Sequence, residues 1–166
     1  AQYMHKAAAV ARRRIYEMAA LQTLEVGKLW EQAYGDVGEG IDFLEYYARD
    51  MLRLSVPRRM GRAPGEHNVL FYQPKGVAAV IAPWNFPLNL CFGPLVSALA
   101  AGNTVILKPS EIVPRTARVV AEAVAEMFDP LEVAAVTGGP EMGAAVSAQP
   151  FDHLVFTGST EVGKAI

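Results

Sequence analysis

The sequence predicts an α/β fold built on a parallel sheet, and three observations carry that prediction. Val77–Ala82 is an apolar run, Val-Ala-Ala-Val-Ile-Ala, with no charge, as expected of a strand buried on both faces. Leu88–Ala101 is long, apolar and rich in Ala and Leu, and reads as a buried helix. Thr104–Leu107 is a second short apolar strand, reached through Gly102-Asn103, two residues that tolerate the left-handed conformation at a helix end. Strand, helix and strand in this order form a parallel crossover unit. Pro83-Trp84-Asn85-Phe86-Pro87 and Lys108-Pro109-Ser110-Glu111 then fall at the carboxyl ends of the two strands, where open α/β sheets bind ligands.

Taken in order, Gln2–Val26 is helical by composition, Ala-rich with Ile15, Met18, Ala19, Leu21 and Leu24 on an apolar face. Arg12-Arg13-Arg14, with Glu17 a turn on, reads as a solvated helix face rather than a nucleic-acid contact. Gly27 ends this helix, and Asp36 with Glu39 has the look of a capping pair opening the next. Ile41, Leu44, Ala48, Met51 and Leu52 recur at helical spacing and carry that helix to about Leu54, with Tyr46-Tyr47 at a helix–helix contact. Ser55–Gly65 holds two prolines, two glycines and three arginines and reads as a surface connection. It divides the chain into an N-terminal helical segment over 1–65 and a sheet-containing part over 66–166.

In the second part, Val69–Tyr72 is a short strand and Gln73-Pro74-Lys75-Gly76 a turn. Pro114 opens a helix that runs to Phe128, and Asp129-Pro130 breaks it. Glu132–Thr137 is the third strand of the sheet, Gly138-Gly139-Pro140 turns into a helix over Glu141–Ala148, His153–Thr157 is the fourth strand, and Thr160 starts a further helix. The expected architecture is four parallel strands with helices covering their faces.

The chain has 166 residues, 52% of them hydrophobic and 19% charged, which is ordinary for a globular protein large enough to bury a core. Its formal charge of −2 gives no reason to expect nucleic acid or an anionic membrane as partner. A single cysteine, Cys91, excludes an intrachain disulfide and fits a reducing compartment. No apolar stretch has the length of a membrane span and no secretory leader opens the chain, so a cytoplasmic location is the simple expectation.

Four segments in register, Pro83-Trp84-Asn85-Phe86-Pro87, Gly102-Asn103-Thr104, Lys108-Pro109-Ser110-Glu111 and Phe156-Thr157-Gly158-Ser159, resemble the aldehyde dehydrogenase superfamily. The likeness is firmest over Gly76–Ile166. Leu24-Glu-Val-Gly-Lys28 and Ile41-Asp-Phe-Leu-Glu-Tyr-Tyr-Ala-Arg49 are similar to the proline-catabolic branch, the 1-pyrroline-5-carboxylate dehydrogenases. The resemblance implies a Rossmann-like NAD-binding domain, preceded by helices, in a homo-oligomeric oxidoreductase. Such an enzyme converts an aldehyde to its acid through a cysteine thioester, with NAD as hydride acceptor; glutamate 5-semialdehyde is the substrate of the branch. Enzymes of this family are much longer than this chain, so the sequence is expected to be a piece of a larger protein.

The resemblance assigns to the cofactor Ile81, Ala82, Pro83, Trp84, Lys108, Ser110, Glu111, Gly138, Gly139, Thr157, Gly158, Ser159 and Val162. Lys108 and Glu111 stand three residues apart with opposite charge, and an ammonium and a carboxylate together can hold the two hydroxyls of a ribose. A carboxylate there also repels a 2′-phosphate, which favours NAD over NADP. The plain alternative is a surface ion pair of little worth. By resemblance Ser159 contacts the pyrophosphate, and Gly138 and Gly139 lie near the adenine. No G-x-G-x-x-G fingerprint occurs.

A rival reading uses the same residues. Gly158-Ser-Thr-Glu-Val-Gly163-Lys164-Ala165 departs from the phosphate loop G-x-x-x-x-G-K-[ST] only at its last position, where Ala165 has no atom for Mg²⁺. A phosphate-loop nucleotide hydrolase, or a non-catalytic nucleotide-binding fragment, is therefore the alternative to a dehydrogenase.

Asn85 is the one candidate for chemistry. Thiolate attack on an aldehyde develops negative charge on the carbonyl oxygen, and a fixed amide N–H aimed there stabilises it by about 3 kcal/mol. In the family the asparagine of this segment supplies that donor; otherwise Asn85 satisfies a turn between two prolines. Cys91 lies on the apolar helix with no cationic neighbour in sequence and reads as a core residue. The family's nucleophile and general-base glutamate come later than Ile166. The three histidines lack metal-ligand spacing, so no metal site is expected.

Overall fold

In a computed structural model the whole chain, Ala1–Ile166, is described. Three helices come first: α1 (Gln2–Arg13), α2 (Ile15–Val26) and α3 (Trp30–Leu54). A two-stranded ribbon follows, β1 (Arg58–Arg59) and β2 (Val69–Leu70), and then the alternating part. That part comprises β3 (Val77–Ile81), α4 (Asn89–Ala100), β4 (Thr104–Lys108), α5 (Pro114–Met127), β5 (Val133–Ala135), α6 (Pro140–Ser147), β6 (His153–Phe156) and α7 (Thr160–Ala165).

The four strands β3 to β6 form one parallel sheet in the order β5-β4-β3-β6. Chain order therefore runs outward from β3 to β4 and β5, then jumps back across β3 to β6. Helix α4 packs on β3 and β4, α5 on β5, and α6 reaches β3; with the right-handed crossovers that parallel strands adopt, the reversal of direction sets α4 and α5 on one face and α6 on the other. The jump leaves a crevice beyond the carboxyl ends of β3 and β6, the usual ligand position in such sheets. Ala78, Ala79 and Val80 of β3 are buried, in keeping with the charge-free run that marks a central strand.

The sheet is covered on the α4–α5 face, and α1, α2 and α3 pack outside those helices, so one core cluster runs from Met4 to Val133. Leu88, Leu95 and Leu107 are fully buried within it. Truncating any of them to Ala costs about 2–5 kcal/mol. Two turn residues anchor the start of β3. Gly102 adopts φ 91°, the left-handed position that ends α4. Asn103 then accepts from the N–H groups of Lys75 and Gly76 at 2.7 and 3.0 Å and donates to Ala98 O at 2.9 Å, joining the helix end to the turn before the strand. At Gly76, φ is 132° and the Asp152 carboxylate fills the space a Cβ would need; that carboxylate accepts from Val77 N at 2.8 Å.

Several expectations need correction. The first helix is not continuous over Gln2–Val26: it breaks at Arg14 (φ −102°, ψ 8°), which lets α1 and α2 each lie against α3 and α5. The three arginines do not form a purely solvated face. Arg12 pairs with Glu45, Arg13 with Glu126, and Arg14 with Glu17 and Glu122, so they tie α1 to α3 and α5. Asp36 and Glu39 do not cap the next helix, which begins at Trp30; Asp36 is interior and pairs with Lys28. Tyr46 is exposed and only Tyr47 packs against the core. The strand expected over Val69–Tyr72 shrinks to Val69–Leu70 and pairs antiparallel with Arg58–Arg59, inside the segment read as a plain connection. The third strand contracts from Glu132–Thr137 to Val133–Ala135. Pro94 sits inside α4, where it removes one backbone donor without ending the helix.

Candidate functional site

Three loops leave the sheet at its carboxyl edge, and all three meet in one cleft of about 640 Å³. After β3 come Ile81, Ala82, Pro83, Trp84 and Asn85; after β4 come Lys108, Ser110, Glu111 and Ile112; after β6 come Thr157, Gly158 and Ser159. Backbone ladder bonds hold these exits level, with Ala82 N donating to Lys108 O and Thr157 N to Ile81 O, each at 3.1 Å. The floor and wall are completed by Leu90 of α4, Pro140, Gly143, Ala144 and Ser147 of α6, Phe156 of β6, and Val162 of α7. A volume of this size suits a small-molecule or cofactor ligand.

Lys108 ends a buried strand and is itself only 2% exposed. Its Nζ donates to Pro109 O at 3.0 Å and to Glu111 Oε2 at 2.8 Å. An ammonium has three donors, so one remains for a ligand, and the carboxylate keeps free lone pairs on its exposed side. The hydrogen bond from Lys108 holds the Glu111 carboxyl below its ordinary range, so the group stays ionised in the cleft at neutral pH. An exposed surface pair, the plain alternative, is excluded for the lysine by its burial. Ser110 Oγ accepts from Ile112 N at 3.3 Å, which shapes the turn between them.

A distant residue positions this loop. Helix α5 starts with Val113 as N-cap, which has no capping side chain, and Pro114, which has no N–H. Glu25 of α2 supplies the missing acceptor: it takes hydrogen bonds from Arg115 N at 2.9 Å, Thr116 N at 2.7 Å and Thr116 Oγ1 at 2.7 Å. Burial alone would raise the Glu25 pKa, but the Thr116 hydroxyl and the two backbone donors outweigh it and the carboxyl is held below its ordinary value of 4.5.

Asn85 is exposed at the cleft rim, and its side-chain amide makes no hydrogen bond within the chain. Trp84 is beside it, 45% exposed. Gly158 lies close on the Phe156 ring, where a Cβ would not fit, and Ser159 Oγ accepts from Val162 N at 3.3 Å as the cap of α7.

Two of the residues named from sequence, Gly138 and Gly139, do not line the cleft; Pro140, the residue after them, does. Ile112, Leu90 and the small residues of α6 line it and were not singled out. Gly143-Ala144 within a proline-opened helix is a pattern that permits close approach, but nothing in it points to a ligand. Cys91 is fully buried on α4 and burial pushes its thiol up to about 12, so it has no thiolate at neutral pH. No group of three or more metal-ligating side chains occurs.

The phosphate-loop reading fails on geometry. Helix α7 begins at Thr160, so Glu161, Gly163 and Lys164 are helical, and only Gly158-Ser159 remain of the loop that would wrap a phosphate.

The whole chain, residues 1–166, matches the family model described as aldehyde dehydrogenase family, and the protein belongs to that family. Among curated relatives it is 44% identical over 168 residues to the 1-pyrroline-5-carboxylate dehydrogenase of Geobacillus sp. strain WCH70, covering 98% of this chain and 32% of the relative. It is 54% identical over 103 residues to the coniferyl aldehyde dehydrogenase of Pseudomonas sp. strain HR199, covering 62% of this chain and 21% of the relative. Among solved structures it is similar to the 1-pyrroline-5-carboxylate dehydrogenase from Thermus with bound NAD, with a TM-score of 0.88 and 44% identity over 99% of this chain and 33% of that one. The chain thus spans about a third of the length of the 1-pyrroline-5-carboxylate dehydrogenases it matches. No helix is long and apolar enough to cross a membrane.

Proposed function

We propose that this chain is the cofactor-binding segment of an NAD-dependent aldehyde dehydrogenase whose substrate is glutamate 5-semialdehyde. The observation that carries the reading is the convergence of three strand exits on one cleft, with a buried Lys108 presenting Glu111 beside it. An ammonium with one free donor and an ionised carboxylate with free lone pairs match the donor–acceptor hydroxyls of a ribose, so the residues present fit a dinucleotide. When bound, NAD supplies the hydride acceptor of the reaction.

The chain's own residues divide the work. Lys108 and Glu111 hold the ribose, and the carboxylate repels a 2′-phosphate, which sets NAD above NADP. Ser159, Gly158 and Thr157 line the phosphate end, and Ile81, Ala82, Pro83, Trp84 and Val162 form the apolar walls. Asn85 donates its free amide N–H to the aldehyde oxygen as charge builds there. Residues 1–65 act as a helical buttress, and residues 66–166 as the first part of the Rossmann-like domain. With Cys91 buried and protonated, the nucleophile is assigned to a part of the longer enzyme outside this chain.

The substrate branch is supported by relatives named 1-pyrroline-5-carboxylate dehydrogenase that match 98% or more of the chain, against 62% for the coniferyl aldehyde relative. The test is a comparison of kcat/KM for glutamate 5-semialdehyde and coniferyl aldehyde in the longer enzyme that carries this segment. The expected result is a clear preference for the semialdehyde; a preference for the aromatic aldehyde overturns the assignment.

A further inference from the structure

Lys28 lies outside the cleft, in the turn from α2 into α3, and its side chain is only 11% exposed. Three groups enclose its ammonium. Asp36 of α3 pairs with it, and Gln22 Oε1 of α2 lies 3.4 Å away as a second acceptor. The face of the Phe86 ring is the third, with its centroid 3.6 Å from Nζ. Gln22 is itself fixed: it is fully buried and its Nε2 donates to Ala33 O at 3.2 Å. Burial lowers the lysine pKa from its ordinary 10.5.

Phe86 needs such an anchor. It stands between Asn85 and Pro87, is 42% exposed and stacks on no other aromatic ring. Asn85 next to it has no side-chain hydrogen bond, so its direction depends on the backbone of the Pro83–Pro87 turn. A cation held rigidly over the ring face is a directional contact that fixes that backbone from outside the cleft.

We infer that Lys28 is a positioning residue: clamped by Asp36 and Gln22, its ammonium holds the Phe86 ring and so fixes the turn that aims Asn85 at the substrate oxygen. The inference rests on the reading of Asn85 as the oxyanion donor. Misplacing a reacting group by about 1 Å can cost up to about 10²-fold in rate, so loosening this turn should lower kcat while cofactor binding persists.

The experiment uses the longer enzyme and the pair Lys28→Met with Asp36→Leu, which avoids leaving a buried carboxylate alone. The expected result is a kcat about tenfold lower, with KM for NAD within twofold and Tm nearly unchanged. In a Phe86→Leu background the same pair should change kcat less than twofold, because the ring it acts through is gone. Lys28→Arg, which keeps a cation at the ring, should restore most of kcat. If the Met/Leu pair does not fold, Lys28→Gln is read in its place, since an amide still bonds Asp36 but puts no charge over the ring. An unchanged kcat, an effect that adds fully to that of Phe86→Leu, or a loss that follows Tm or the NAD KM overturns the inference. Asn85→Ala separates the two claims: if it lowers kcat and the Lys28 variants do not, only the positioning role falls, and if it leaves kcat intact both fall.

Discussion

Replacing Glu25 with Ala removes the acceptor that caps α5 from a position 90 residues earlier in the chain. Three hydrogen bonds to an ionised carboxylate disappear, at 2.9, 2.7 and 2.7 Å, and two helix N–H groups lose their partner. Loss of a side-chain cap costs about 0.5–2 kcal/mol. Here Thr116 is buried, so water replaces the acceptor poorly, and the upper end of about 2 kcal/mol is the expected cost. At about 2–4 °C per kcal/mol for a chain of this size, Tm should fall by about 4–8 °C. The assay is thermal unfolding followed by far-UV circular dichroism at pH 7, repeated at falling pH. The sign follows from the depressed pKa: stability from Glu25 is present above its ordinary 4.5 and is lost as pH falls through its lower folded value. The gap between the protein and Glu25→Gln should therefore close in acid, whatever the other carboxylates do to both. A Tm change under about 1 °C for Glu25→Ala, or a gap that widens in acid, refutes the capping account.

Three further outcomes are expected. Asn85→Ala in the longer enzyme should cut turnover about 10²–10³-fold with the NAD dissociation constant nearly unchanged, measured by single-turnover kinetics and by titration; early melting with intact turnover would assign Asn85 to the turn alone. Cys91 in the native chain should resist a thiol reagent at pH 8 and react once denaturant is added, because burial pushes its thiol up to about 12. This chain by itself should form no NADH from an aldehyde, since Cys91 is its one cysteine and is held protonated in the core; aldehyde-dependent NADH formation by a preparation of confirmed mass would contradict that role.

The alternating part of the fold was legible because its signals are local. A central strand with both faces covered must be an uninterrupted apolar run, and Val77–Ala82 is one; Gly102 and Pro114 mark a helix end and a helix start by backbone chemistry alone. The N-terminal helices were harder, since their boundaries are set by partners far off in sequence. Nothing at Arg14 breaks a helix by propensity; the break lets α1 and α2 each meet α3 and α5. Asp36 has the composition of a cap, yet Lys28 engages it and the helix starts six residues sooner. At the site, Lys108, Glu111 and Asn85 were visible as polar residues at strand ends. Glu25 and Lys28 were not, because each acts on a loop about 58–91 residues away, which no spacing pattern reports.

The proposed function turns on the placement of Glu111, held by Lys108, at the ribose of the cofactor. It is tested most directly by the ratio of kcat/KM with NAD to that with NADP, measured in the longer enzyme with Glu111 and with Glu111→Gln. A carboxylate close to a 2′-phosphate costs NADP Coulomb energy that the neutral amide does not. NAD should be preferred, and the substitution should narrow that preference by about tenfold or more, a change of about 1.4 kcal/mol. A preference for NADP, or a ratio that Glu111→Gln leaves unchanged, would contradict that placement.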